Sequence, residues 1–84
     1  MLFRSVSVLM AIKNGIERPG ALERAIKGIS TKILTERLRK LTEYNLLDKK
    51  KFNEVPAKTI YTLTNKGKML VKIIEQLHEL DNND

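Results

Sequence analysis

Residues 28–41 read GISTKILTERLRKL, and the fold follows from how this run divides its two sides. Ser30 has the side-chain oxygen that an N-cap needs, directly ahead of a run of good helix formers. Ile29 and Leu34 stand at the N′ and N4 positions of a hydrophobic staple, while Ile33 replaces the glutamate or glutamine of a full capping box. Leu34, Leu38 and Leu41 then recur at i, i+4 and i+7, with Lys32, Thr35, Glu36, Arg39 and Glu43 on the opposite side. The pattern predicts a helix over about 30–44 with its leucines turned inward.

Working outward, two helices are expected upstream. Val6, Leu9, Met10 and Ile12 favour a helix over about 3–14, closed by Gly15, which can take the left-handed position. Pro19 suits the first position of a second helix over about 19–27, since the N–H it lacks would be unbonded there. Leu22 and Ile26 share one face of that helix, and Gly28 ends it. Two short helices, the later one opening straight after a glycine-containing turn, form an arrangement whose second member can stand proud and enter a DNA major groove.

Downstream, LLDKKKF and KTIYTL read as strands over about 47–53 and 58–63, and Pro56 belongs in the loop between them because it cannot donate to a ladder. Thr64 is the expected cap of a last helix over about 64–80, striped by Leu70, Ile73, Ile74, Leu77 and Leu80. The expectation for 1–84 is one mainly α domain with a small β-hairpin. In outline it is a winged helix-turn-helix with a three-helix core, a two-stranded wing and a C-terminal dimerisation helix.

Composition narrows the chemistry. The 84 residues include no cysteine and one histidine, His78. Disulfides, thiolate zinc sites and thiol redox chemistry within the chain are thereby excluded. No HExxH, Walker or GxGxxG spacing occurs, so neither a metal nor a nucleotide cofactor is expected, and an enzyme would lack convergent titratable groups. MLFRSVSVLMAI is apolar but too short to span a bilayer, with Arg4 and Lys13 around it. It reads as a buried first helix of a cytoplasmic protein without a membrane partner. The net charge is +6, yet residues 1–72 carry +10 and residues 73–84 carry −4. A basic body with an acidic end suits a polyanion-binding face on one side only.

The candidate DNA-binding residues follow from this layout. On the third helix they are Ser30, Thr31, Lys32, Thr35, Glu36 and Arg39. Glu36 either accepts from cytosine N4 or holds Lys32, Arg39 or Lys40. Arg37, beside the apolar stripe, either packs over the core or meets a phosphate. Strand alternation lets at most two of Lys49, Lys50 and Lys51 share a side, and Lys49 and Lys51 are the expected pair, with Lys58 on the second strand. Arg18, ahead of the second helix, reads as a phosphate contact or as plain surface. Tyr61 is expected in the core with its hydroxyl bonded to a neighbour. Leu70, Ile73, Ile74, Leu77 and Leu80 make a stripe longer than so small a body can cover, which predicts pairing of two chains through the last helix, with Met1 to Val6 assisting. The alternative is a winged-helix protein-interaction module in which the basic residues serve only solubility.

Several separated motifs also carry a resemblance. GISTKILTERLRKL, Leu46-Leu47, a basic strand, Pro56, Tyr61-Thr62-Leu63-Thr64 and Gly67-Lys68-Met69-Leu70 resemble, in order and spacing over about residues 6–70, the HxlR type of bacterial and archaeal winged-helix regulators within the MarR-like superfamily. The resemblance implies a dimeric DNA-binding transcription factor. The chain departs from that family's pattern in lacking the tryptophan of helix one, in Pro19 where an aromatic is usual, in Asn45 for a glycine after the third helix, and in Ile60 for a glutamate.

Overall fold

The computed structural model describes residues 2–82, with side chains over 5–80. Met1 and the side chains of Leu2, Phe3 and Arg4, part of the segment expected to assist pairing, lie outside that description. Six elements follow one another: α1 (Leu2–Lys13), α2 (Pro19–Ala25), α3 (Thr31–Glu43), β1 (Leu47–Phe52), β2 (Lys58–Leu63) and α4 (Asn65–Asn82).

Local chemistry explains where the helices stop. After α1, Gly15 takes φ +93°, its N–H bonds the Ile12 carbonyl and the Ile16 N–H reaches back to Ala11 at 3.1 Å. These are the two bonds of a Schellman cap. α2 ends at Ala25, short of the expected 27, because Ile26 leaves helical angles (φ −99°, ψ 98°) while its N–H still bonds Leu22. Ser30 accepts from the Ile33 N–H at 3.1 Å and so caps α3. At the far end of α3 a second Schellman pair forms, Asn45 N–H to Thr42 and Leu46 N–H to Leu41, with Asn45 at φ +63°. Asparagine is the non-glycine residue that tolerates this region well, which is why it can stand in for the family's glycine.

β1 and β2 pair antiparallel with Leu47 opposite Leu63, Lys49 opposite Tyr61 and Lys51 opposite Thr59. The free edge of β2 is used too: the Tyr61 N–H donates to the Glu17 carbonyl at 2.9 Å, which ties the α1–α2 connection to the wing. The core draws on every element: Val8, Leu9 and Ile12 of α1, Leu22 of α2, Leu34, Leu38 and Leu41 of α3, Leu47 and Tyr61 of the wing and Val71 of α4, joined by Ile29 and Leu46. Burial of both Ile29 and Leu34 is consistent with the staple.

The join between α3 and α4 is tight. Thr64 Oγ1 donates to the Asn45 carbonyl at 2.6 Å and accepts from the Gly67 N–H at 3.0 Å, so it caps α4 while holding the end of α3. Lys66 Nζ donates to the Tyr44 carbonyl at 3.0 Å, placing a cation at the negative end of α3. Beyond this join α4 runs on past the expected 80 to Asn82.

Candidate nucleic-acid interface

Because Leu34, Leu38 and Leu41 are buried, the opposite side of α3 faces outward. Lys32, Thr35 and Arg39 are exposed, and the Lys32 side chain makes no hydrogen bond or ion pair among the described residues. Arg39 donates to Glu43 Oε1 at 2.9 Å, an open i,i+4 pair of the kind worth only about 0.3–0.5 kcal/mol and therefore easily exchanged for a phosphate. The Thr35 hydroxyl donates to the Thr31 carbonyl at 2.8 Å, which leaves its methyl and its lone pairs for a partner.

Other sequence-predicted contacts are engaged inside the protein. Ser30 Oγ is occupied by the cap, although the residue is exposed. The Thr31 hydroxyl donates at 2.5 Å to Glu23 Oε1 of α2, so any outside contact by that hydroxyl competes with an existing bond. Glu23 went unnoticed in sequence because its pairing crosses from one helix to the next. Glu36 is half-buried and carries no ion pair to Lys32, Arg39 or Lys40. Arg37 is half-buried as well, and its Nε is buried without a hydrogen-bond partner, in keeping with a stem packed over the core.

The strand register sorts the wing lysines. Since opposed residues share a face, Lys49 and Lys51 lie on the same side as Leu47, Thr59, Tyr61 and Leu63, whereas Lys50 lies on the other. Lys58 lies opposite Phe52, on the same side as Lys50, and its Nζ sits 5.3 Å from the Phe52 ring centroid. The structure therefore does not bring Lys58 together with Lys49 and Lys51 on one face. Lys49 does meet α3: a groove between helix and wing is lined by Thr35, Arg39, Thr42, Glu43, Lys49 and Tyr61.

Tyr61 departs from expectation in one respect. Its ring is buried, but its hydroxyl makes no hydrogen bond among the described residues, and the side chain helps to floor that groove beneath Lys49 Nζ, 6.0 Å from the ring centroid. Burial pushes the phenol up from its ordinary 10.0, because the charged form is the one desolvation penalises. Arg18, exposed, is the N-cap residue of α2 and makes no side-chain cap bond.

Along α4 the predicted pairing stripe divides. Leu70 and Ile74 are half-buried and pack in part against the protein's own core, so less of their surface is open than of the rest of the stripe. Ile73, Leu77 and Leu80 are 51%, 63% and 71% exposed, and Met69, at 66%, extends their line by a turn. His78 belongs to a cavity between α1 and α4 that also takes in Val6, Met10 and Ile74. An ion pair from Lys13 to Glu75 joins the same two helices. Among the described residues no cluster of three or more His, Cys, Asp or Glu could hold a metal, and no helix is long and apolar enough to cross a membrane.

Comparison with known proteins places this geometry in context. A family model described as HxlR-like helix-turn-helix matches residues 5–83. Among curated proteins, the HTH-type transcriptional regulator YodB of Bacillus subtilis is 31% identical over 70 residues, which are 83% of this chain and 62% of YodB. An uncharacterised HTH-type transcriptional regulator of Synechocystis, sll1512, is 34% identical over 76 residues, 90% of this chain and 56% of its own length. The chain thus spans between half and two thirds of the length of these curated relatives. Among solved structures, diamide-treated YodB superposes with a TM-score of 0.81 at 28% identity, covering 92% of this chain and 76% of that one. A proposed MarR-family transcriptional regulator from Enterococcus faecalis V583 superposes with a TM-score of 0.86 at 34% identity, covering 92% and 70%.

Proposed function

The chain belongs to the HxlR-like helix-turn-helix family, and from that premise we propose that it is a sequence-specific double-stranded DNA-binding transcriptional regulator acting as a homodimer. Its relatives are transcriptional regulators rather than enzymes. The observation that carries the reading is the exposure of Lys32, Thr35 and Arg39 on a helix whose other side is anchored in the core, beside a groove shared with Lys49. In this reading α3 enters the major groove, where Thr35 and Lys32 meet base edges, while Lys49 and Lys51 meet phosphates or the minor groove. Lysine and arginine contacts release counterions, so affinity depends steeply on salt.

Pairing through α4 is supported by the exposed line of Met69, Ile73, Leu77 and Leu80, on a helix of 18 residues that spans about 27 Å. A two-fold dimer sets its recognition helices about 34 Å apart, one DNA turn, and favours a pseudo-palindromic site.

Selection from a random duplex pool, followed by binding at several salt concentrations, tests the proposal. T35A should relax sequence preference, and the K49Q/K51Q double variant should weaken binding to every sequence and lower the salt slope by about 1 to 2. If the wild type bound no duplex at low salt, the chain would be a protein-interaction module instead.

A further inference from the structure

The groove beside α3 has a neighbour at the other end of the same wing face. Thr59, which lies opposite Lys51, lines a second depression together with Arg18, Pro19, Gly20, Ala21 and Arg24. Arg24 is exposed, and its Nη1 lies 3.7 Å from where a Cβ on Gly20 would stand, so the guanidinium folds back over the first turn of α2, in the depression that Arg18 also lines. Neither arginine side chain has a hydrogen bond or ion pair among the described residues. The nearby acids are otherwise engaged or lie away from this depression. Glu23 Oε1 accepts from Thr31, and Glu17 lines a separate depression with Ile12, Lys13 and Thr62. Two unpaired guanidinium groups beside one small-residue patch are a planar, permanently charged arrangement suited to phosphate oxygens.

Joined through the strand register, the cations follow one path. Arg39 and Lys49 border the first groove, Lys51 stands opposite Thr59, and Arg18 and Arg24 border the second. We infer that Arg24 and Arg18 each hold a DNA backbone phosphate beyond the stretch covered by α3, so that the inner face of the wing forms a single phosphate track from α3 to α2. This rests on the DNA-binding reading and extends it to a residue that neither motif nor charge pattern singles out.

The test is the salt dependence of binding to two probes, a selected site and a random-sequence duplex, for wild type, R24Q, R24K and R18Q/R24Q. One lost phosphate contact lowers the log–log salt slope by about 0.9, so a fourfold rise in salt should cost R24Q about 3.5-fold less affinity than it costs the wild type. The same change is expected on both probes, about twice as large in R18Q/R24Q and absent in R24K. A melting temperature of R24Q equal to the wild type's would show that the fold is unaffected. A wild-type slope in R24Q would overturn the phosphate contact and leave the DNA-binding reading standing. An effect confined to the selected site would also overturn it, by making Arg24 a base reader. Absence of salt-dependent binding by the wild type would remove both.

Discussion

Gly67→Ala offers a quantitative check on the join that sets α4 against α3. A Cβ on residue 67 would lie 2.2 Å from the Leu46 carbonyl oxygen, 3.2 Å from its carbon and 3.3 Å from Leu63 Cδ2. The nearest obstacle is backbone, fixed by the Schellman cap of α3 and by the Thr64 N–H, which donates to that same oxygen at 3.1 Å. Relief therefore requires the helices to part by about 1 Å, at an overpacking cost of about 3 kcal/mol. Distorting the Thr64 bonds adds about 1 kcal/mol. Alanine returns about 1 kcal/mol of helix propensity. The balance is a loss of about 3 kcal/mol, or a melting temperature lower by more than about 10 °C in a domain of this size. Urea unfolding followed by circular dichroism, at one fixed protein concentration because of the proposed pairing, measures it. Gly20→Ala is the contrast, since its Cβ meets only Arg24 Nη1 at 3.7 Å. That change should be neutral or stabilising by up to about 1 kcal/mol. If G67A were as stable as wild type, the close approach of α4 to Leu46 would be wrong.

Three further outcomes are expected. Ser30→Ala removes the bond to the Ile33 N–H and should cost about 1 kcal/mol in a urea melt; no loss would mean that the cap contributes nothing. Ile73→Glu and Leu77→Glu, on exposed positions, should shift the protein to monomer in sedimentation while leaving its helix content intact, whereas Leu70→Ala, packed on the core, should destabilise the fold by about 2 kcal/mol or more. Tyr61, raised above its ordinary 10.0, should stabilise the fold fully below that pH and lose the contribution as pH climbs through the raised folded value. In Y44F, which retains Tyr61 as its single tyrosine, the tyrosinate absorbance midpoint should fall in denaturant; an equal midpoint in native protein would refute burial as the cause.

What the sequence settled by itself was periodic and local. The spacing of Leu34, Leu38 and Leu41 shows which side of α3 is anchored, because 3.6 residues per turn bring those positions into line whatever surrounds them. Ser30, Gly15, Pro19 and Thr64 could be read for the same reason: a cap bonds within its own turn. The assignments that failed or stayed open involved residues distant in the chain. Leu70 and Ile74 share a helical side with Leu77, and only the packing of α1 and β2 against α4 decided that the first two are half-buried while the last stays exposed. The separation of Lys58 from Lys49 and Lys51 depended on the pairing of two strands, since a slip of one residue would exchange their faces. The Thr31–Glu23 bond and the placing of Arg24 and Thr59 around one depression likewise needed α2, α3 and the wing in their places. Local hydrogen bonding and helical period act over a few residues and can be read along the chain, whereas burial and charge proximity depend on how whole elements dock.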